Sequence, residues 1–309
     1  MFKYFSSDKS EDLETSSKNT NLPSVSVIVP VFNAEHTITE CINSILSLNY
    51  PREKLELIFV DNSSTDNSRT LLEEYDGQIN ILHERKRGPA AARNRGILQS
   101  SGEIIAFTDS DCKVDKDWLG ELLETLQDET IGIVGGKILS KRPCNNIEEF
   151  GEKIHDHYKA INVFKPPYVI TMNWASRRSV LMEVGVFDES CIRCEDVDLS
   201  RRIMEAGYKL CYEPEAIIFH SNESTLGGLF KEGYLHGFWA VKVLKKWREL
   251  TGKFEHRRLN LSTYKTIFLS LIRCIKGEDR DDSMCFFVFN LGKKIGKLSG
   301  SIRFLYLDL

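Results

Sequence analysis

Four short apolar runs, each separated from the next by a helical stretch, constrain the fold of this chain more than any other feature. The runs are VSVIVPVF (25–32), KLELIFV (54–60), INILHE (79–84) and EIIAFTD (103–109). Each has the length of a strand, whereas the segments between them carry apolar side chains at helical spacing. Strands joined by helices of this length form right-handed crossovers, so the pattern predicts an α/β fold with a mainly parallel sheet flanked by helices.

The rest of the chain divides by composition. The first 24 residues are polar and rich in Ser, Thr, Asp and Lys, which is typical of a disordered tail. Residues 25–224 form the predicted α/β domain, with a regular half, 25–112, and a half of looser order, 113–224. From residue 225 to 309 the sequence is helical, amphipathic and increasingly basic.

Composition excludes several function classes. A net charge of −4 gives no global reason to expect a nucleic-acid partner. Eight cysteines scattered through a long chain are typical of free thiols in a reducing cytosol rather than of a disulfide scaffold. The chain has no signal-peptide core and no run of roughly 18 apolar residues. These features predict a cytoplasmic protein.

All four predicted strands end in specialised polar sequences: PVFNAE (30–35), VDNSSTDNS (60–68), ERKRGPAAARNRG (84–96) and TDSDC (108–112). In a doubly wound sheet, ligands bind beyond the carboxyl ends of the strands. No G-x-G-x-x-G follows the first strand, and the chain has no G-x-x-x-x-G-K-[ST]. The sequence therefore indicates a nucleotide held by side chains and a metal ion.

Asp109 and Asp111 lie one residue apart after the fourth apolar run. In an extended backbone both would face the same side and repel each other unless a cation lay between them. Two carboxylates suit a hard divalent cation such as Mn²⁺ or Mg²⁺, with ligand phosphates completing the shell. The alternative is an Asx turn that closes the strand.

Five motifs occur in the order found in one enzyme family. They are VSVIVPVFNAEHTITECINSIL, VDNSSTDNS, RGPAAARNRGI, FTDSDC and CEDVDLSRR. Together they resemble the motifs of the family 2 glycosyltransferases, which are inverting enzymes of GT-A fold, over residues 25 to 220. The resemblance implies a Rossmann-like GT-A domain with a helical C-terminal extension. Its first half, 25–112, would bind the nucleotide, and its second half, 113–224, would face the acceptor.

The activity that the resemblance implies is metal-dependent hexosyl transfer. A sugar would move from a nucleoside diphosphate sugar, a UDP-sugar being favoured, to a hydroxyl of a glycan or glycolipid acceptor, as in polysaccharide biosynthesis. Implied nucleotide contacts are Pro30, Phe32, Glu35, Asp61, Arg87, Arg93, Asn94 and Asp109. Asp61 would read the base, although Asn62 stands where the family often has a second acid, which leaves the base preference open. The alternative for Glu35 is an acidic side chain in the first turn of a helix, where it would stabilise the helix dipole.

The resemblance also implies the catalytic residues. An inverting transfer needs a general base near the acceptor hydroxyl and stabilisation of the leaving diphosphate. In CEDVDLSRR the base would be Asp196, with Glu195 beside it and Asp198 as a rival. The alternative is that all three acids only complement the dipole of a helix N-terminus.

Histidines and one tryptophan complete the candidates. His220 ends the apolar run AIIFH and resembles a third metal ligand beside Asp109 and Asp111, while a packed histidine is the alternative. His155 and His157 are predicted to diverge on one helix and to be solvated. Trp174 suits either stacking on a sugar ring or a place in the core.

Two other function classes remain open. A nucleotidyltransferase shares a related sheet but would need glycine and lysine after the first strand, and PVFNAEHT has neither. A non-catalytic nucleotide-sugar-binding protein would keep the fold, but Asp109, Asp111 and Asp196 are all intact. The basic C-terminal helices have three possible roles: peripheral contact with the inner face of the membrane, a cap on the α/β domain, or packing against a second subunit.

Overall fold

The computed structural model describes residues 22–252, 261–277 and 280–306. Most of the tail predicted for residues 1–24 therefore lies outside the described residues. In the described ranges the strands are β1 (Val25–Val31), β2 (Leu55–Asp61), β3 (Asn80–His83), β4 (Ile104–Thr108), β5 (Cys112–Val114), β6 (Ile131–Ser140), β7 (Asn173–Arg177) and β8 (Lys209–His220). The first four match the predicted strands to within two residues at each end.

The helices lie between and after these strands. They are α1 (Ile38–Leu46), α2 (Ser68–Glu73), α3 (Pro89–Gln99), α4 (Trp118–Thr125), α5 (Asn146–Ile154), α6 (His157–Asn162), α7 (Arg178–Val184), α8 (Glu195–Glu205), α9 (Leu226–Thr251), α10 (Leu261–Lys276) and α11 (Arg280–Phe304). Helix α1 begins at Ile38, because residues 34–37 form a turn closed by hydrogen bonds to the Ala34 carbonyl.

One sheet holds the described strands in the order β3-β2-β1-β4-β7-β6-β8-β5. The predicted crossovers make β1 parallel to both β2 and β4, and β2 parallel to β3. Strand β7 then runs antiparallel between β4 and β6, and β5 pairs antiparallel with the end of β8. The parallel half places four strand ends at one edge, and the mixed half brings later segments of the chain to the same edge.

Strand β1 shows why the sheet is covered on both faces. Val27 and Val29 point to the face that α1 and α4 cover, where they join Ile38 and Trp118 in the core. Ile28 points to the opposite face, which α3, α7 and α8 cover. A strand buried on both sides needs a continuous apolar sequence, as VSVIVPV provides.

The C-terminal helices pack on each other and on the α/β domain. Helices α9 and α11 approach closely along glycines: a Cβ at Gly296 would lie 2.0 Å from the Tyr234 carbonyl oxygen. Near its end, α9 inserts Trp247, whose Nε1 donates to Asp198 Oδ1 at 3.0 Å. The structure thus shows the cap on the α/β domain, one of the three predicted roles. The division of the chain into domains at 224/225 stays a prediction, although Thr225 is the N-cap of α9.

Among the residues described in these helices, no segment is both long enough and apolar enough to cross a lipid bilayer.

Candidate active site

Strand pairing brings together two of the predicted metal ligands, Asp111 and His220, which lie far apart in the sequence. Strand β5 pairs with β8 so that Cys112 lies opposite His220. The preceding residue, Asp111, therefore lies beside the end of β8, where its carbonyl accepts from Ser221 N at 3.1 Å. The side chains meet as well, with His220 Nε2 3.4 Å from Asp111 Oδ2.

The two aspartates do not share an extended backbone as predicted. Strand β4 ends at Thr108, and residues 109–112 form a tight turn in which Cys112 N donates to Asp109 O at 3.0 Å. The two carboxylates contact different cationic side chains. Asp109 contacts Arg93, with Arg93 Nη2 2.7 Å from Asp109 Oδ1, while Asp111 contacts His220. Each like charge thus has its own cationic partner, which removes the repulsion that the extended arrangement implied.

Asp111, Cys112 and His220 form a group whose ligand atoms lie within 4.8 Å of one another. Burial tends to raise the pKa of Asp111, but the nearby His220 charge outweighs burial and holds it below its usual range. Burial tends to lower the pKa of His220, yet Asp111 raises it to about 9. Burial raises the pKa of the Cys112 thiol well above its usual range, so the thiol stays protonated. A carboxylate and an imidazole can together hold a divalent cation that retains open positions for phosphate oxygens.

Arg93 ties the turn after β4 to the start of α8. Its guanidinium lies 2.7 Å from Asp109 and 2.8 Å from Glu195 Oε1. The side chain of Arg93 is 3% exposed and that of Glu195 6%. Burial raises the pKa of Glu195, whereas Arg93 opposes this shift without reversing it. Arg93 Nε is buried and, among the described residues, has no hydrogen-bond partner.

Asp196 is the next residue on α8. Its neighbour Glu195 forms an ion pair with Arg93, whereas Asp196 accepts a hydrogen bond from the backbone. Its side chain is half-buried, and its Oδ1 accepts from Val197 N at 2.8 Å. Burial and the charge of Glu195 raise its pKa to about 7. A carboxyl with a pKa near neutrality is suited to accept a proton at physiological pH.

Asp198, the alternative candidate for the general base, is occupied by contacts that stabilise the fold. It is fully buried and accepts hydrogen bonds from Arg202 Nε at 3.0 Å and from Trp247 Nε1 at 3.0 Å. Lys246 Nζ is a third partner at 2.9 Å and also contacts Asp188 at 2.7 Å. Asp198 therefore holds α9 against α8.

The nucleotide-side residues lie at the ends of β1 and β2. Asp61 is 3% exposed, accepts from Ser64 N at 3.1 Å and lies 3.2 Å from His83 Nδ1. Asn62, where the family often has a second acid, donates to the carbonyls of Glu84 and Lys86 at 3.0 and 2.8 Å. Asn62 therefore shapes the basic loop between β3 and α3.

That loop places Arg87 over the ring of Phe32, 5.2 Å from the ring centroid, beyond the end of β1. Pro30 lies within β1, and Glu35 turns to Asn67, accepting from its backbone and side-chain nitrogens at 3.0 Å. Phe32 and Arg87 thus lie together, while Glu35 stabilises the neighbouring turn.

Asn94 lies one residue beyond Arg93, but its side chain points the other way. Its Nδ2 donates to Phe187 O at 2.9 Å, and its Oδ1 accepts from Phe187 N at 2.9 Å. Trp174, which the sequence left open between sugar stacking and the core, is fully buried and stacks on Phe107 at 4.7 Å. Asn94 holds the loop before α8, and Trp174 belongs to the core.

The prediction that His155 and His157 are solvated is wrong. The helix predicted there breaks into α5 and α6, and both side chains are buried. His157 Nδ1 lies 2.8 Å from the Gly136 carbonyl, and burial lowers its pKa to about 4. His155 Nε2 lies 3.1 Å from Glu232 Oε1 of α9. The histidines are cross-links between elements, which a helical pattern alone does not reveal.

Sequence reasoning missed three residues near His220. Asn222 contacts its imidazole, and Lys141 and Arg142 line a cavity of about 190 Å³ that also borders His220 and Asn222. Lys141 and Arg142 follow β6, whose neighbour in the sheet is β8. The available signal was a basic pair directly after an apolar run, but the place of β6 in the sheet was unknown.

The fold is that of the GT-A class, and sequence comparisons give the family. The Glycosyl transferase family 2 pattern matches residues 26–185, and the chain belongs to that family. It is 32% identical over 230 residues to glycosyltransferase AglE of Haloferax volcanii, covering 72% of this chain and 75% of AglE. It is 31% identical over 213 residues to the pre-mycofactocin glycosyltransferase of Mycobacterium tuberculosis, covering 65% of this chain but 43% of that relative. The protein is a glycosyltransferase.

Solved structures share the fold. One is a mannosyltransferase of Pyrobaculum calidifontis, solved in complex with GDP-Man and Mn²⁺. The match covers 90% of this chain and 88% of the mannosyltransferase chain, with a TM-score of 0.66 and 20% sequence identity. S. aureus TarS 1–349 with UDP-GlcNAc matches 93% of each chain with a TM-score of 0.53 at 15% identity. The predicted GT-A fold with a helical C-terminal region is therefore confirmed.

Proposed function

We propose that this glycosyltransferase is a metal-dependent inverting enzyme that transfers a hexose from a UDP-sugar to a hydroxyl of a glycan or glycolipid. The observation that carries the proposal is the double contact of Arg93 with Asp109 and Glu195. Through it, the turn that bears the metal-ligand candidates is held beside the first turn of α8, which carries the candidate base. An in-line displacement needs both groups at once.

Asp111 and His220 are the proposed ligands of Mn²⁺ or Mg²⁺, an ion whose chemistry when bound is to neutralise charge on the departing diphosphate. Asp109 is the proposed contact to the ribose or to the ion. The unpartnered Nε of Arg93 supports a contact with the donor, because a buried N–H without an acceptor is costly. Arg142 lines the cavity beside His220 together with Lys141, whose ammonium group forms an ion pair with Glu40.

Asp196 is the proposed general base. It accepts the proton of the acceptor hydroxyl while the oxygen attacks the anomeric carbon and the bond to the nucleoside diphosphate breaks. Asp61 is the proposed acceptor for the imide N–H of uracil, with Pro30, Phe32 and Arg87 flanking the nucleotide. Glu35 and Asn94 support the loops on either side of it. The relatives' sugar donors, GDP-Man and UDP-GlcNAc, support a nucleoside diphosphate sugar in general.

Asp111→Asn is expected to weaken the Mn²⁺-dependent part of UDP binding by roughly 100-fold or more. Mutation of a residue that only hydrogen-bonds to a metal ligand already lowers metal affinity by about 10–100-fold, and Asp111 is itself a proposed ligand. Isothermal titration with UDP, with and without MnCl₂, measures this part directly. Asp128→Asn removes an exposed carboxylate at a distant turn and should leave both titrations unchanged. Equal UDP affinity with and without Mn²⁺ in the unmodified protein would count against metal dependence.

The proposed location is the cytoplasm, with peripheral contact to the inner face of the membrane through the C-terminal helices. Exposed apolar side chains on α10 and α11 support this contact: Phe268 is 62% exposed, Ile275 77% and Ile302 71%. Arg273 and Lys276 lie in the last turn of α10. Apolar and basic side chains together suit an anionic lipid surface.

Ile275→Glu is expected to lower co-sedimentation with vesicles that contain phosphatidylglycerol by several-fold, because it places a negative charge among the exposed apolar side chains. Leu98→Glu, at a 56% exposed position on α3, is the matched control and should bind like the unmodified protein. Failure of the unmodified protein to sediment with these vesicles would refute the membrane contact without affecting the activity.

A further inference from the structure

Asn222 lies two residues beyond His220, and its amide has one possible orientation. Its Nδ2 donates to Ser140 Oγ at 2.8 Å and to the backbone carbonyl of Glu148 at 2.9 Å. A carbonyl oxygen accepts only, so the nitrogen end of the amide must face it. The oxygen end, Oδ1, consequently faces the two histidines on the other side.

His220 takes its tautomer from this oxygen. Its Nδ1 lies 2.7 Å from Asn222 Oδ1, so Nδ1 must carry the hydrogen and donate it. The opposite nitrogen, Nε2, is directed at Asp111, 3.4 Å away. A histidine that ligates a metal through one nitrogen needs its other nitrogen held in this way.

The surroundings fix Asn222 itself. His155 Nδ1 lies 3.3 Å from Asn222 Oδ1, and its ring meets the His220 ring edge-on at 5.1 Å between centroids. His155 is held in turn by Glu232 of α9 at 3.1 Å. Gly151 of α5 leaves room for the amide, since a Cβ there would lie 2.1 Å from Asn222 Cγ.

We propose that Asn222 is a positioning residue that orients His220 for metal binding by accepting the Nδ1 hydrogen. The inference rests on the proposed metal-dependent function. Asn222 contacts neither the metal-facing nitrogen nor Asp111; it acts by fixing the ring plane and the tautomer of His220. The C-terminal helix α9 reaches this arrangement through Glu232 and His155, so the metal-side cleft and the helical region share one buried hydrogen-bond network.

The test is the Mn²⁺ affinity of the full chain in the presence of UDP, read from the signal of free Mn²⁺ in electron paramagnetic resonance. Asn222→Leu has a similar shape but no acceptor, and we expect it to raise the Kd for Mn²⁺ by about 10–100-fold. Asn222→Asp keeps an oxygen toward both histidines but turns its second oxygen toward the Glu148 carbonyl, so it should bind Mn²⁺ more tightly than Asn222→Leu but no more tightly than the unmodified protein. Ser221→Ala, between the two residues, is the matched control and should leave the Kd unchanged.

Two further variants separate positioning from general damage. If Asn222 acts through His220, Asn222→Leu should cause no further loss in a His220→Ala background, whereas independent effects would add. Gly151→Ala removes no polar group, but its methyl group displaces the Asn222 side chain, so it should weaken Mn²⁺ binding. This variant therefore tests the inference even if Asn222→Leu does not fold. A thermal melt of each variant shows which ones are folded.

The outcomes are distinct. Loss of Mn²⁺ affinity in His220→Ala, with wild-type affinity in both Asn222→Leu and Gly151→Ala, would overturn this inference and leave the proposed function standing. Additive losses, or a weaker Asn222→Asp than Asn222→Leu, would also overturn it, because they indicate a structural role only. Absence of Mn²⁺ binding in the unmodified protein would overturn both the inference and the metal dependence.

Discussion

Asp196→Asn is expected to lower the rate constant of sugar transfer by about 10²–10⁴-fold, the range typical for removal of a general base. An asparagine keeps the size of the side chain and an oxygen for the bond from Val197 N, but its amide cannot accept the acceptor's proton. UDP and Mn²⁺ should bind as before, because the proposed nucleotide and metal contacts lie on other elements. Single-turnover transfer at saturating donor measures the chemical step alone.

Two neighbouring variants on α8 make the result specific. Glu205→Gln changes an exposed acid at the end of the helix and should leave transfer unchanged. Asp198→Asn should lower the melting temperature, since Asp198 is fully buried and holds Arg202 and Trp247. The base would have to be another group if Asp196→Asn transferred sugar at the wild-type rate, or if folded Asp198→Asn lost transfer instead.

The pH profile gives the same assignment a second readout. Burial and Glu195 raise the pKa of Asp196 to about 7, so the transfer rate should rise with pH up to that value and level off above it. The native state holds this proton more tightly than the unfolded state does, so the contribution of Asp196 to stability falls as pH rises from about 4 to 7. Asp196→Asn should abolish the rise in rate and raise the melting temperature at pH 8, which a thermal melt at pH 5 and pH 8 tests.

The part of the fold that sequence predicts well is the part built from local pattern. Strand β1 is buried on both faces, and its continuous apolar sequence indicates this directly. Pro89 begins α3 as its position in the sequence predicts. The antiparallel insertion of β7 between β4 and β6 leaves no such signal, because it depends on pairing between segments far apart in the chain.

The same limit applies to the candidate site. The motif order predicted Asp111, Asp196 and His220 as site residues, but only the register of β5 against β8 shows that Asp111 and His220 meet. The like charges of Asp109 and Asp111 suggested a shared cation in an extended backbone, whereas a turn gives each its own partner. Turn geometry and long-range ion pairs are tertiary effects, and a single sequence does not specify them.

Arg93→Met is expected to destabilise the protein by about 3–5 kcal/mol, the usual cost of removing one partner from a buried ion pair. Methionine fills much of the space of the arginine stem but leaves Asp109 and Glu195 without their cation. The loss should grow as pH rises, because burial raises the pKa of Glu195, and this carboxyl without its cation can take up a proton at low pH but not at high pH. Urea unfolding at pH 5 and pH 8 measures both effects, and Arg69→Met, which breaks an exposed pair with Glu73, should cost less than about 1 kcal/mol.

Combining Arg93→Met with Glu195→Gln separates the charge effect from the loss of packing. The second change removes one of the stranded carboxylates, so the double variant should be more stable than Arg93→Met alone, most clearly at pH 8. Transfer should not recover with stability, because the cation that joins the turn after β4 to the start of α8 is still missing. Recovery of transfer in the double variant would show that Arg93 only neutralises the charge of Glu195. The double contact that carries the proposed function would then have no part in holding the turn after β4 beside α8.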